Sequence, residues 1–285
     1  MGRVDKSGRH AVVTGANSGM GLAASAALAQ RGFRVTMVCR SRERGEQALK
    51  EAISLSGSEE LELMLCDLGS LRSIRAFAAD FRAKYDKLDV LLNNAGVFAL
   101  KREFTEDGFE SMMGVNHLGH FLLTHLLLKP LLQAPQGRIV VVSSGAHRAG
   151  KIHWDDPFLS RGFNFWKGYA QSKLANVLFT KELARRLAGS GVTANCLHPG
   201  AVATSIGVDR RTGFGRSVLR MLKPVFLTPA EGASTAVYLA VSEEAAGVSG
   251  EYYYKQKPAP VSRLAAAPEA AGRLWAWSEK AVGLT

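Results

Sequence analysis

The sequence has little cysteine, no long apolar run and no segment of reduced complexity, and each absence removes a class of protein. Its three cysteines among 285 residues, Cys39, Cys66 and Cys196, are odd in number, widely spaced and placed at the ends of apolar runs that read as buried strands. That pattern excludes a disulfide scaffold and fits reduced core thiols in a cytoplasmic protein. The longest nearly unbroken apolar stretch, Phe121 to Leu128, contains Thr124 and His125 and falls well short of the ~18 residues that a membrane span requires. From Met1 the chain passes Arg3, Lys6 and Arg9 straight into Ala11-Val12-Val13 without an apolar leader or small-residue cleavage site, so export is not expected. Lys6 stands where a myristoylation signal after Met1-Gly2 wants Ser or Thr. No internal repeat and no Pro/Gly/Ser-rich linker divides residues 1–285, which read as one domain.

Acidic residues are also short: 25 Asp and Glu against 36 Lys and Arg leave a formal charge of +11. An excess of that size suits anionic ligands, an anionic lipid surface or nucleic acid. Nothing resembles a helix-turn-helix or zinc module, so no nucleic-acid partner is expected, and the charge is assigned to a phosphate-bearing cofactor and general surface composition. The seven histidines are scattered. His117 and His120 stand three apart, but no cysteine or carboxylate cluster completes a tetrahedral set, and no metal is expected.

What is present is the material of a packed α/β domain: 47% hydrophobic and 21% charged residues. Short β-rich apolar runs at 11–14, 34–39, 61–66, 90–92, 139–143, 193–197 and 252–254 alternate with helix-length periodic stretches. Seven strands so separated predict a single doubly wound, Rossmann-type domain with a mostly parallel sheet and helices on both faces. Ser70 precedes an apolar face formed by Leu71, Ile74, Phe77, Phe81 and Tyr85. Thr228, Pro229 and Glu231 have the pattern of a capping box with a first-turn proline, predicting a helix to about Ala240.

The first strand runs into Thr14-Gly15-Ala16-Asn17-Ser18-Gly19-Met20-Gly21 and then an alanine-rich helix. Glycines there let backbone approach a pyrophosphate, whose charge the helix N-terminus attracts; an ordinary strand-to-helix turn is the plainer reading. The second strand ends at Cys39-Arg40. A free ribose 2′-hydroxyl wants an acidic acceptor at that place and a 2′-phosphate wants a guanidinium, so Arg40 favours NADP over NAD, with a solvated arginine as the alternative. Asp67, followed by Leu68, is placed either to accept from an adenine amino group or to cap the next helix. Asn93-Asn94-Ala95-Gly96 lets the chain turn beneath a cofactor, and Asn116 stands among apolar neighbours in Val115-Asn116-His117-Leu118-Gly119-His120-Phe121, as a kink stabiliser or part of a polar relay. Tyr169 and Lys173, four apart, share one helix face, where an ammonium favours the phenolate and fits the phenol for acid/base work. Such pairs are common on solvated helices. Ser143-Ser144 at the end of the fifth strand adds a hydroxyl able to polarise the same carbonyl.

In their order along the chain, the Thr14–Gly21 turn, Asn93-Asn94-Ala95-Gly96, the serine, the Tyr169/Lys173 pair and Pro199-Gly200 resemble the short-chain dehydrogenase/reductase family. The resemblance spans essentially the whole chain, including 250–254 and the tail around Arg273-Leu274-Trp275 and Ser278-Glu279. Val115 to Phe121, Val142-Ser143-Ser144, Leu197-His198-Pro199-Gly200 and Cys39-Arg40 look like the retinol dehydrogenase-like branch. The resemblance implies a tetrad in which Asn116 holds a relay water, Ser144 orients the substrate oxygen, Tyr169 is the acid/base and Lys173 binds the nicotinamide ribose while lowering the tyrosine pKa. Ser143 competes with Ser144, which is preferred as the second of the pair. The implied cofactor contacts are Gly15, Asn17, Ser18, Gly19, Met20, Gly21, Arg40, Asp67, Leu68, Asn94, Ala95, Gly96, Tyr169, Lys173, Pro199, Gly200, Val202 and Thr204. The chain departs from membrane-bound relatives in having no hydrophobic N-terminal anchor, and its Ser144-to-Tyr169 spacing of 25 is longer than is usual in the wider family, although the retinol dehydrogenase-like branch has a similar insertion.

The function so implied is NADP-dependent interconversion of a carbonyl and an alcohol on a bulky lipophilic substrate such as a retinoid, lipid aldehyde or steroid. The same fold also serves quinone, sugar or tetrapyrrole reduction, or cofactor sensing without turnover. Two segments are expected to form an apolar lid over the substrate: an insertion near 146–168 with Trp154, Phe158, Phe163, Phe165 and Trp166, and a basic, apolar stretch near 201–228 suited to peripheral contact with an anionic membrane. A homodimer or homotetramer through the helices beginning near Gly108 and Tyr169 is the implied assembly.

Overall fold

The computed structural model describes residues 8–201 and 227–285. Its strands are β1 (Arg9–Thr14), β2 (Phe33–Cys39), β3 (Leu61–Leu65), β4 (Val90–Asn93), β5 (Arg138–Val142), β6 (Thr193–Leu197), β7 (Tyr252–Tyr254) and β8 (Lys257–Pro258). They form one sheet in the order β3-β2-β1-β4-β5-β6-β7-β8. All neighbours are parallel except β7 and β8. The helices are α1 (Gly19–Ala29), α2 (Arg42–Ser56), α3 (Leu71–Lys84), α4 (Ser111–Met113), α5 (Gly119–Leu132), α6 (Phe165–Arg186), α7 (Pro229–Val241) and α8 (Pro268–Ala281). A π-helical turn, Gly114–Leu118, joins α4 to α5.

Strand residues alternate between two apolar cores. Val12, Val38, Leu91, Ile139 and Val141 face the side covered by α3, α5, α6 and α8, whereas Ala11, Val13, Met37, Leu92 and Val140 face α1, α2 and α7. A parallel sheet covered on both faces needs this apolar content in both phases of the alternation, which is why its strands read as continuous apolar runs. The expected caps form. Ser70 accepts from the Ser73 amide, and Thr228 and Glu231 close a reciprocal capping box at the start of α7.

The sheet has eight strands where seven were expected. The additional β8 is a two-residue edge strand reached through a hairpin whose turn residues, Lys255 and Gln256, have φ of 49° and 61°. Such turns ordinarily announce themselves by Asn or Gly, and this one has neither. Pro258, which has no amide hydrogen, suits an edge position.

The insertion near 146–168 divides its aromatics. Phe158 stacks on Phe109 at 5.3 Å and meets Trp277 at 5.7 Å, while Arg273 lies 4.3 Å over Trp154, so these two rings pack against α8 and the core instead of forming a lid. Phe165 and Trp166 remain exposed beside Tyr169. The second expected lid segment lies outside the described residues except for Ala201, Leu227 and Thr228. The helices expected to carry subunit contacts, α5 and α6, have an aromatic face covered by the chain's own α8: Trp275 contacts Phe121 at 4.9 Å and Phe179 at 6.0 Å, and His117 Nε2 lies 2.8 Å from Ser278 Oγ. No helix among the described residues is long and apolar enough to cross a membrane.

All three cysteines are free and buried, and burial pushes their thiols up to about 11 for Cys39 and about 12 for Cys66 and Cys196. Burial also lowers the pKa of every histidine, to about 4 for His10 and His120 and about 3 for His117. Between those values and the ordinary 6.5 the unfolded chain binds more protons than the folded one, so stability rises with pH across that window. Urea unfolding midpoints are therefore expected to fall steadily from pH 7 to pH 4.5. A flat profile over that range contradicts the buried neutral imidazoles.

Candidate active site

The strand order reverses between β1 and β4, and the cleft at their carboxyl ends is where an open α/β sheet binds its ligand. Gly15, with φ of +65°, and Gly21 shape its floor. A Cβ on Gly15 would sit 2.8 Å from Ala95 Cα, and one on Gly21 would strike the Gly15 carbonyl and lie 2.6 Å from Asn94 Nδ2. Ser18, extended at the N-cap of α1, makes no side-chain cap, so the first amides of α1 are not taken up by a capping side chain.

The cleft is lined by Gly15, Asn17, Ser18, Gly19, Met20, Gly21, Arg40, Asp67, Leu68, Asn94, Ala95 and Gly96, all named from the sequence. Arg44 and Val115 also line it and were not anticipated. Arg44 stands in the first turn of α2 behind the Ser41 cap, whereas Arg42 turns to Glu46 at 3.7 Å. Arg40 is largely exposed, with Asp67 Oδ2 at 3.9 Å. Asp67 caps no helix; its Oδ1 accepts from the Gly69 amide at 2.9 Å, and Ser70 is the cap of α3. Asn94 also braces the first turn: Nδ2 donates to the Thr14 carbonyl at 2.8 Å. Pro199 and Gly200 are not among the residues lining this cleft. Gly200, with φ of +87°, packs near Leu227, and its amide donates to His198 Nδ1 at 3.1 Å. Val202 and Thr204 lie outside the described residues.

Asn116, fully buried, occupies the π-helical turn. One residue more than an α-helical turn rotates everything beyond it by about 100°. The Asn116 side chain is wholly engaged: Oδ1 accepts from the Val97 amide at 2.7 Å, and Nδ2 donates to the Val97 carbonyl and Ser172 Oγ, both at 3.0 Å. A Cβ on Gly96 would lie 3.6 Å from both Asn116 Oδ1 and Lys173 Nζ, so the cleft and the α6 pair are contiguous.

The two serines divide sharply. Ser143 is buried and its hydroxyl donates to the Lys173 carbonyl at 2.8 Å, whereas the Ser144 hydroxyl accepts from the Ala146 amide at 3.2 Å and is near enough to the Tyr169 phenol to oppose the rise of its pKa. Tyr169 sits in the second turn of α6, and its ring meets Phe98 edge-on at 5.2 Å. Phe98 had not been singled out; it lies on the loop after β4, where no periodic signal marks a contact with α6. Lys173 Nζ lies 5.7 Å from the Tyr169 ring centroid and donates to the Val142 carbonyl at 3.2 Å. Burial pushes its ammonium down to about 8. Burial also raises the Tyr169 phenol above its ordinary value, with the Ser144 hydrogen bond working against that. This direction is opposite to the expected lowering by Lys173, because desolvation of the ring is the larger influence.

The short chain dehydrogenase profile matches residues 9–213. The chain belongs to the short-chain dehydrogenase family. This short-chain dehydrogenase is 45% identical to human retinol dehydrogenase 14, with 97% of this chain and 87% of that protein covered. It is 47% identical to human retinol dehydrogenase 13, with coverages of 97% and 85%. Among solved structures, a Mycobacterium paratuberculosis protein is 36% identical with a TM-score of 0.78, covering 96% of this chain and 93% of that one. An actinorhodin polyketide ketoreductase with NADPH is 30% identical with a TM-score of 0.66, covering 86% and 94%. The enzyme is an oxidoreductase of the retinol dehydrogenase-like branch, and its family uses a nicotinamide cofactor. The narrow glycine floor, the α1 amides without a side-chain cap and the basic rim of the cleft fit such a dinucleotide.

Gly21→Ala is expected to weaken nucleotide binding about tenfold or more, since the methyl group meets backbone that has no room to retreat. Fluorescence titration with NADPH checks this, and an unchanged dissociation constant contradicts the close approach.

Proposed function

We propose that the enzyme interconverts a carbonyl and an alcohol on a bulky lipophilic substrate, with NADP(H) as cofactor and Asn116, Ser144, Tyr169 and Lys173 as the reacting group. The observation that carries this reading is the grouping of Ser144, Tyr169 and Lys173 beside the turn at Asn94–Gly96. Arg40 and Arg44 on the cleft support the 2′-phosphate, as does the NADPH of the related ketoreductase. Phe98, Phe165 and Trp166 around Tyr169, together with the retinol named for the relatives, support an apolar substrate.

NADP(H), when bound, supplies or removes the hydride. In the reductive direction the substrate oxygen gains negative charge, and the Ser144 hydroxyl donates to it. Tyr169 gives up its phenolic proton to that oxygen. The phenolate left behind is stabilised by the Lys173 ammonium, whose Nζ donates to the Val142 carbonyl. With its side chain engaged, Asn116 offers its carbonyl oxygen to a relay water that reprotonates the pair through Lys173.

Tyr169→Phe is expected to lose turnover with retinal, medium-chain aldehydes and steroids by about 10²-fold or more while keeping NADPH affinity. Retained turnover overturns the assigned role. Because Lys173 is protonated below about 8 and neutral above it, reductive kcat is expected to decline as pH rises through that value. A rate that climbs through pH 8 to 9 opposes the role of the ammonium. Arg40→Leu is expected to weaken NADPH about tenfold and leave NADH nearly unchanged; equal losses for both nucleotides contradict a 2′-phosphate contact.

A further inference from the structure

We infer that His120 is a positioning residue that locks the Asn116 carbonyl to the turn at Asn94–Gly96, so that nucleotide held at that turn and the relay oxygen fix one another. The inference rests on the oxidoreductase reading above and adds a residue which that reading does not use. His120 follows Asn116 by one helical turn and is 1% exposed. Its Nδ1 lies 3.1 Å from the Asn116 carbonyl oxygen. A carbonyl only accepts, so Nδ1 carries a proton. Burial and the nearby Lys173 hold this imidazole neutral at working pH, which leaves a lone pair on Nε2. Nε2 lies 2.9 Å from Thr14 Oγ1, which therefore donates its one proton there in preference to the Leu92 carbonyl at 3.3 Å. The two acceptor positions of the same hydroxyl take the amides of Asn94 and Ala95 at 2.9 and 3.0 Å.

The direction of every bond in this chain is thus determined. It begins at the amides of the cofactor-facing turn, passes through Thr14 and both ring nitrogens, and ends on the Asn116 carbonyl. The Asn116 side chain is already engaged with Val97 and Ser172, so His120 supplies the orienting contact for the carbonyl itself. Any buried apolar residue of similar size fills the space; only a side chain with a donor at the Nδ1 position and an acceptor at the Nε2 position joins the two segments.

Asparagine and glutamine separate the two halves. An asparagine amide nitrogen reaches the Nδ1 position and keeps the bond to Asn116, while a glutamine amide oxygen reaches the Nε2 position and keeps the bond to Thr14. His120→Gln is therefore expected to lower kcat about tenfold with a smaller effect on NADPH affinity, and His120→Asn to weaken NADPH about tenfold with a smaller effect on kcat, each the scale of one hydrogen bond. A residue needed for packing alone lowers both in parallel with melting temperature. Amide hydrogen exchange reads the coupling without turnover: in the parent protein, NADPH is expected to slow exchange at Asn94–Gly96 and at Val115–Leu118. In His120→Gln it slows only the first segment. Parallel losses in both variants, or protection of Val115–Leu118 that survives in His120→Gln, overturns the inference. Tyr169→Phe that retains turnover overturns the catalytic assignment and leaves the exchange result to decide the role of His120 by itself.

Discussion

Between the turn that leaves β1 and the turn that leaves β4 there is no room for a methyl group, and the arrangement of the cleft follows from that contact. Gly15 and Gly21 permit the approach, and Asn94 and Thr14 hold it with side-chain bonds to backbone. Buried backbone groups must be paired, and here the pairing is made across two crossovers that are far apart in sequence. The first amides of α1, the loop bearing Phe98 and the π-helical turn with Asn116 all take their places relative to this junction. Without it the glycine-rich turn is a flexible connection, and Asn116 and Lys173 have no fixed distance to the cleft floor.

The second organising element is an ammonium buried with no carboxylate partner among the described residues. Lys173 faces a backbone carbonyl and an aromatic ring, and its positive charge is correspondingly unfavourable. Burial opposes the negative form of Tyr169 in the same way. Each ion alone is penalised, yet formed together they are partners. In the role proposed for Tyr169, proton loss would create an ion pair that the resting site lacks, and an interaction made only as the reaction proceeds is the kind that accelerates it. The upward direction of the Tyr169 pKa is consistent with this, because it describes the phenol at rest, before the substrate oxygen has developed charge.

Much of this was legible in the sequence because the signals are local. All seven expected strands fall within about two residues of those observed, and the caps at Ser70 and Thr228 form as read. What could not be read depends on tertiary geometry or on turns without their usual residues. The β7–β8 hairpin uses Lys255 and Gln256 in left-handed conformations, and no propensity marks the extra residue of the π-helical turn. The division of Trp154 and Phe158 from Phe165 and Trp166 is decided by where α8 lies. Asn94 has the right residue type for a ligand contact, and its side-chain bond to Thr14 depends on two turns 80 residues apart meeting in the fold. Ser143 and Ser144 are chemically identical and adjacent; strand alternation sends one hydroxyl to the Lys173 carbonyl and leaves the other toward Tyr169.

The covering of α5 and α6 by α8 also bears on how the chain is made. Phe121, Phe179 and their neighbours belong to segments synthesised long before Trp275 and Ser278, the residues that cover them. Since a chain emerges and folds from its N-terminus at roughly 5–20 residues per second, that aromatic face stays open for several seconds on the nascent protein. An aromatic face open for that long is one a chaperone can protect, and the emergence of α8 is what covers it.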